Sequence, residues 1–402
     1  MGTLLLKNVL LDGASTDVLI ADGRFRKIGA PADTQADTVL DAEGMALLPP
    51  FYNTHTHAAM SLMRGYADDM PLHEWLQDYI WPFEDKLTAA DIRRGSRLAV
   101  REMIKTGTVF FSDMYFDIEE TIRVVETYGI RAAVGVTFVD AHSKSQQADK
   151  LNLLRHWSDP TGGRISLTVA PHAIYTVGPD LLVRCAETAR EQNLKLHIHL
   201  SETRKEVDDC LQAHGTTPVR YLDRLGVLGD NVIAAHVVHV DEEEADILAA
   251  RGVTIAHCPV SNMKLASGIF PYRRLHEAGC RIALGTDGDC SNNNLDMREE
   301  MKVAALLAKT SSGDPRTMPA SEALDMASRC GAEAFGIDGG VIAEGKAADA
   351  LLVRLDDERM QPCHNLVSNW VYAAGSSCID TLICDGRILM KNREIVVNEE
   401  EI

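Results

Sequence analysis

The chain has 402 residues, 46% of them hydrophobic and 25% charged, with a formal net charge of −19. That composition belongs to a globular chain long enough for one large domain and a smaller one. The acidic balance excludes partners that depend on basic surfaces, so neither nucleic acid nor an anionic membrane is expected.

The nine cysteines form no CxxC pair and no regular spacing, which points to a reducing cytoplasm rather than a disulfide framework. No apolar run approaches the roughly 18 residues of a membrane span, and Leu4-Leu5-Leu6 is too short for a signal segment. Nothing in the sequence opposes a homo-oligomer.

In chain order, short β-type runs are expected at Leu4 to Leu11, Val18 to Ala21, Phe25 to Ile28 and Thr38 to Asp41, parted by Gly, Asp and Pro turns. The other end is patterned in the same way, with runs at Asp349 to Arg354, Asp380 to Cys384, Arg387 to Met390 and Ile395 to Val397, and a hairpin signal at Asp385-Gly386. Segments 1–47 and 345–402 are therefore expected to pair into one small β-domain, a β-sandwich built from both chain ends.

Segment 48–344 alternates β-type runs with amphipathic stretches. The runs start near Ala46, Thr108, Arg131, Ile165, Lys195, Asn231, Thr254 and Arg281. Helical periodicity fills stretches such as Ile92 to Lys105, Pro179 to Gln192 and Asp241 to Ala250. Eight such units predict an α/β architecture, a (β/α)₈ TIM barrel. The glycine-rich turn of an open dinucleotide-binding sheet is absent.

Chemistry in such barrels gathers where strands end. The first run ends in His55-Thr56-His57, whose spacing puts both imidazoles on one face of a strand, able to grip one divalent cation. Other runs end in Pro171-His172, His197-Ile198-His199-Leu200-Ser201-Glu202, His236, His257 and Thr286-Asp287. Six polar strand ends on one mouth are hard to explain as packing, because unpaired buried polar groups are costly.

These motifs, Phe51 to His57, His199 to Glu202, His236 and Thr286-Asp287-Gly288, resemble those of the amidohydrolase superfamily. Within it, Leu72-His-Glu-Trp75, Trp81-Pro-Phe-Glu84, His257 to Ala266 and Gly285 to Asn293 resemble the 5-methylthioadenosine/S-adenosylhomocysteine deaminases, nearly end to end. The resemblance implies one divalent metal, usually zinc with iron as the alternative, held by His55, His57, His199 and Asp287. Strand four contains no lysine to bridge a second ion. His197 is expected to be a hydrogen-bonded barrel residue.

The implied reaction is hydrolytic deamination of a 5′-modified adenosine, a purine nucleoside. Asp287 would take the water proton, Glu202 would protonate the ring nitrogen, and His236 would orient the attacking group. The stretch Ala58 to Lys86 reads as a long loop at the mouth. By resemblance Glu84 meets the ribose hydroxyls, Trp75 the sugar or 5′ side, and His172 the purine. One departure stands out: an arginine expected on or after strand three, to meet the carboxylate of S-adenosylhomocysteine, is missing from Gly135-Val136-Thr137, and Lys144 is a weak substitute. A guanine or pterin deaminase and a catalytically silent metal-binding scaffold are the competing readings.

Overall fold

A computed structural model describes residues 2–397; residues 398–402, the end of the expected C-terminal unit, lie outside them. Eight parallel strands form the central sheet: β1 (Phe51–Thr56), β2 (Thr108–Tyr115), β3 (Arg131–Phe138), β4 (Ile165–Pro171), β5 (Lys195–Leu200), β6 (Val232–His236), β7 (Thr254–His257) and β8 (Arg281–Leu284). Each pairs with its neighbour in chain order, the arrangement of a (β/α)₈ barrel. Every residue of β1, β2 and β3 is buried, as strands covered on both faces require.

Helices cover the outside, among them α1 (Ala89–Lys105), α2 (Ile118–Tyr128), α3 (Lys144–His156), α4 (Pro179–Glu191) and α5 (Arg204–His214). The apolar pattern places the start of α1 at Ile92, but the helix begins earlier because Thr88 and Asp91 form a reciprocal capping box.

Two stretches differ from their sequence reading. The run expected from Ala46 is divided: Met45–Leu48 pairs antiparallel with Ala350–Arg354, Leu48 facing Leu351, and β1 starts only at Phe51. Pro49 and Pro50 lie between, with no N–H to offer a ladder.

The expected loop Ala58 to Lys86 is largely helical, with a 3₁₀ segment at Ala58–Met63 and three abutting pieces at Leu72–Glu74, Trp75–Ile80 and Trp81–Glu84. The middle piece has π geometry, Trp81 N–H reaching the Leu76 carbonyl, and Pro82 with no N–H follows at once.

Closure between β8 and β1 combines a backbone hydrogen bond with bonds from side chains. Asp287 N–H donates to the His55 carbonyl at 3.0 Å. The Thr54 hydroxyl donates to the Leu284 carbonyl at 2.8 Å, and Asn53 takes the Thr286 N–H at 3.0 Å while giving its own amide to the Thr286 hydroxyl at 2.7 Å. A Cβ on Gly285 would lie 2.9 Å from the His55 nitrogen, so only glycine lets the strands approach this closely.

Strands from both chain ends join in a second, nine-stranded mixed sheet, as their shared patterning predicts. Its core draws Leu6, Ile20 and Phe25 from one end and Leu352 and Ile383 from the other. The last strand is Glu394–Ile395, shorter than the expected Ile395 to Val397 run.

A buried ion pair ties this sheet to the base of the barrel. Arg131, at the start of β3, meets Asp349 at 2.6 Å, and the Asp349 side chain is 0% exposed. Removing one member of such a pair strands the other charge, at a cost of about 3–5 kcal/mol. Asp349→Ala is expected to lower stability by that amount, read from the midpoint of chemical denaturation. A loss under about 1 kcal/mol would show that the pair contributes little.

Candidate active site

Alternation along β1 carries His55 and His57 to one side, into the barrel mouth, where His199 from the end of β5 joins them. His57 Nδ1–H donates to the Met114 carbonyl at 2.7 Å, and His199 Nδ1–H to the His172 carbonyl at 2.8 Å. A carbonyl can only accept, so in the neutral form of each ring the lone pair sits on Nε2, and the two Nε2 atoms face each other at 3.3 Å. Two lone pairs at that distance repel unless a cation lies between them.

His55 Nδ1 contacts His197 Nε2 at 2.9 Å, and His197 Nδ1 contacts the Ser112 hydroxyl at 3.2 Å. His55 Nε2 is buried with no hydrogen-bond partner among the described residues. The Asp287 Oδ1 lies 3.3 Å from His55 Nε2 and 3.2 Å from His57 Nε2. Three imidazole nitrogens and one carboxylate oxygen thus converge, an N₃O donor set that suits a divalent ion with a position left open for water. Burial pushes the Asp287 carboxyl up, but His55 and His57 outweigh it and hold it well below the usual carboxylate range.

Three strand ends carry strained backbone. Ser201 (φ 50°), His236 (φ 72°) and Asp287 (φ 63°) all occupy the left-handed region without being glycine. Each such residue costs about 1–3 kcal/mol, and this clustering is a mark of functional sites. The turns direct Glu202 and His236 over the ligand cluster, with Glu202 Oε2 3.8 Å from His236 Nε2. His236 Nδ1 is fixed by the Asn262 side-chain oxygen at 2.8 Å. Burial raises the Glu202 carboxyl, partly offset by His236.

A cavity of about 670 Å³ opens above, of a size that suits a nucleoside-sized ligand. Trp75, Glu84, His172, Glu202 and His236 all line it, together with the ligand cluster. Trp75 is 5% exposed and packs with Met60 and Ile80 in the apolar cluster of segment 58–86, the lid of the cavity. Burial raises the Glu84 carboxyl to about 7. His172 is driven down to about 3, again by burial, and its Nδ1 engages the Thr176 hydroxyl at 2.9 Å.

Not every strand end takes part. His257 turns away from the cavity and stacks on Phe270 with ring centroids 3.8 Å apart. Lys144 is exposed on the first turn of α3 and does not line the cavity.

The match to the amidohydrolase family model runs over residues 46–389. The chain belongs to the amidohydrolase family. Family membership and a His/Asp cluster able to hold a metal ion together support a divalent metal at this site.

Its relatives include a 5-methylthioadenosine/S-adenosylhomocysteine deaminase of Dictyoglomus turgidum, 44% identical over 98% of this chain and 92% of that protein. A 5′-deoxyadenosine deaminase of Methanosarcina mazei is 42% identical over 96% and 90%. Among solved structures, a zinc-bound adenosine deaminase from Xanthomonas campestris superimposes with a TM-score of 0.91 at 32% identity, over 99% of this chain and 95% of that one.

Several residues around this amidohydrolase centre escaped the sequence reading. Asp287 Oδ2 accepts from the Ser261 hydroxyl at 2.6 Å and the Ser291 hydroxyl at 2.8 Å, and Asn262 orients His236. All three lie inside motif stretches already singled out, but a serine or asparagine beside a ligand gives no spacing signal of its own. Glu206, buried behind Glu202, is likewise invisible in a helix rich in charge.

Purified protein is expected to carry about one divalent ion per chain, as elemental analysis would count, and His55→Ala or Asp287→Ala should lose both ion and turnover. Two stoichiometric ions would contradict a single four-donor site.

Proposed function

We propose that this chain is a metal-dependent hydrolytic deaminase of 5′-modified adenosines, giving ammonia and the inosine analogue. It is a hydrolase acting on the C–N bonds of cyclic amidines, with the barrel segment 48–344 as its catalytic unit and 1–47 plus 345–402 as its β-domain. The observation that carries the reading is one cavity that unites an N₃O donor set with Glu202 over it and a second half-buried carboxyl, Glu84, on the lid side. Relatives named for deaminating 5′-modified adenosines support it. Nine free thiols suit a reducing cytoplasm.

His55, His57, His199 and Asp287 would hold one zinc ion, with iron as the alternative. Such an ion lowers the pKa of bound water toward about 7. Asp287, held as a carboxylate, takes a proton from the attacking water and passes it to the departing amine, so that the C–N bond breaks and ammonia leaves. Burial favours the neutral form of Glu202, whose role is to give a proton to the ring nitrogen beside the attacked carbon. His236, with Asn262 fixing its ring, stabilises the charge that develops. His172 binds the purine, Glu84 accepts from the ribose hydroxyls and Trp75 packs on the 5′ side.

A free-base deaminase for guanine or a pterin would use the same donors, but Glu84 would have no ribose to bind. Ammonia release across adenosine, guanine and pterin compounds separates these readings. Turnover of free bases without nucleosides would overturn the nucleoside assignment, and no turnover of any would leave a metal-binding scaffold. Glu202→Gln is expected to keep ion and fold but lose about 10²-fold or more in kcat. Wild-type turnover would remove Glu202 from the chemistry.

The 5′ group is uncharged. The wall beyond Glu84 offers Trp81, Phe116 and Val139, and no lysine or arginine lines the cavity among the described residues. Lys150 stands behind this wall with its Nζ donating to the Thr137 carbonyl at 2.6 Å. Asp85 and Asp117 also line the cavity, so a carboxylate tail meets like charge and no bidentate partner. 5-Methylthioadenosine, 5′-deoxyadenosine or adenosine should therefore exceed S-adenosylhomocysteine in kcat/KM by about tenfold, the worth of a missing charge-assisted contact. Matched measurements giving S-adenosylhomocysteine an equal or higher value would show that its carboxylate finds a cation.

A further inference from the structure

Glu206 is a carboxylate that neither lines the cavity nor belongs to the ligand cluster, yet it is only 2% exposed. It occupies the third position of α5, four residues after Glu202. Thr203 caps that helix, its hydroxyl accepting the Glu206 N–H at 3.1 Å. In a capping box the third residue would return a bond to the N–H of the cap itself. Glu206 reaches past it: Oε1 accepts the Ser201 N–H at 2.9 Å and Oε2 the Glu202 N–H at 2.8 Å.

The local backbone explains this reach. Ser201 is turned into the left-handed region at φ 50°, which aims two successive amides to one side as a small anion-binding concavity. The same turn is gripped from the other side, because the Ser201 carbonyl accepts Val238 N–H at 3.0 Å and His239 N–H at 2.9 Å. Those amides follow directly on His236 and Val237, which are themselves left-handed at φ 72° and 51°. One buried carboxylate therefore closes a turn shared by the ends of β5 and β6, whose side chains Glu202 and His236 face each other over the donor cluster.

We propose that Glu206 is a positioning residue for deamination, holding the Glu202 carboxyl in register with the reacting carbon. The inference rests on the reading of Glu202 as the acid that protonates the substrate ring. Both amides need an acceptor. A glutamine would satisfy one of them and set its own NH₂ against the other, so the turn would loosen while the ligand cluster and the cavity walls stay in place.

The test is a double-mutant cycle on the metal-loaded enzyme with 5-methylthioadenosine or adenosine. Glu206→Gln is expected to lower kcat by about tenfold while KM, ion content and secondary structure stay within about twofold of wild type. In the Glu202→Gln background the same change should add less than about twofold, because a residue acting through Glu202 has nothing left to position. Wild-type kcat in Glu206→Gln, or a full tenfold further loss in the double variant, overturns the proposal.

Glu206→Asp keeps the charge but shortens the reach by about 1.5 Å, and carries the same expectation if the glutamine variant does not fold. Failure of both to fold also overturns it, in favour of a purely structural carboxylate. Wild-type turnover in Glu202→Gln alone would instead remove the acid role, a separate failure that the single variant reveals.

Discussion

The seam between the first and last barrel strands is the constraint on which the site depends. β1 brings two imidazoles and β8 ends at the carboxylate that faces them. The backbone bond from Asp287 to the His55 carbonyl, 3.0 Å long, sets that facing. Asn53 and Thr54 stitch the same seam with side chains, and Gly285 allows the approach because a Cβ would collide with His55. Neighbouring residues thus do two jobs: Asn53 and Thr54 hold the barrel shut beside His55 and His57, which face the cluster. If the seam opened, the three imidazoles would be left without their anion.

Within this closed mouth, environment pushes two carboxyls in opposite directions. Asp287 lies against imidazoles and stays ionised; Glu202 lies among buried groups with His236 only partly compensating, and favours its proton. Two identical chemical groups separated in this way can act as base and acid at one pH. Strained backbone at Ser201, His236 and Asp287 shows what the arrangement costs, and the dense hydrogen bonding around those turns is what sustains it.

Much of this was legible in the sequence because barrel strands announce themselves twice, by apolar runs and by the polar residue that ends each one. Seven of the eight expected starts fall at or beside the observed strand, whereas Ala46 belongs to the other sheet; two prolines separate it from β1, and an apolar run carries no mark of which sheet will take it. The lid's helical turns were hidden by Pro71 and Pro82, which read as loop punctuation but sit before and within helical pieces. His257 shows the limit of strand-end reasoning: its position matches the others, but its side chain prefers the ring of Phe270. Residues that act through others, Ser261, Ser291 and Glu206 among them, have no periodicity to reveal them and emerge only from distances.

The pairing of Met45–Leu48 with Ala350–Arg354 also bears on how the chain is made. Strands from the start of the chain leave the ribosome roughly 300 residues before the partners that cover them, so their edges stay open throughout synthesis of the barrel. Contacts of such separation in sequence are the slowest to form and the most exposed to wrong pairing. The acidic surface gives the waiting strands some protection through mutual repulsion between chains. The small sheet is in this sense a late clasp: it locks only once the barrel between its halves has been delivered whole, and the ion pair of Arg131 with Asp349 registers that completion at the base of β3.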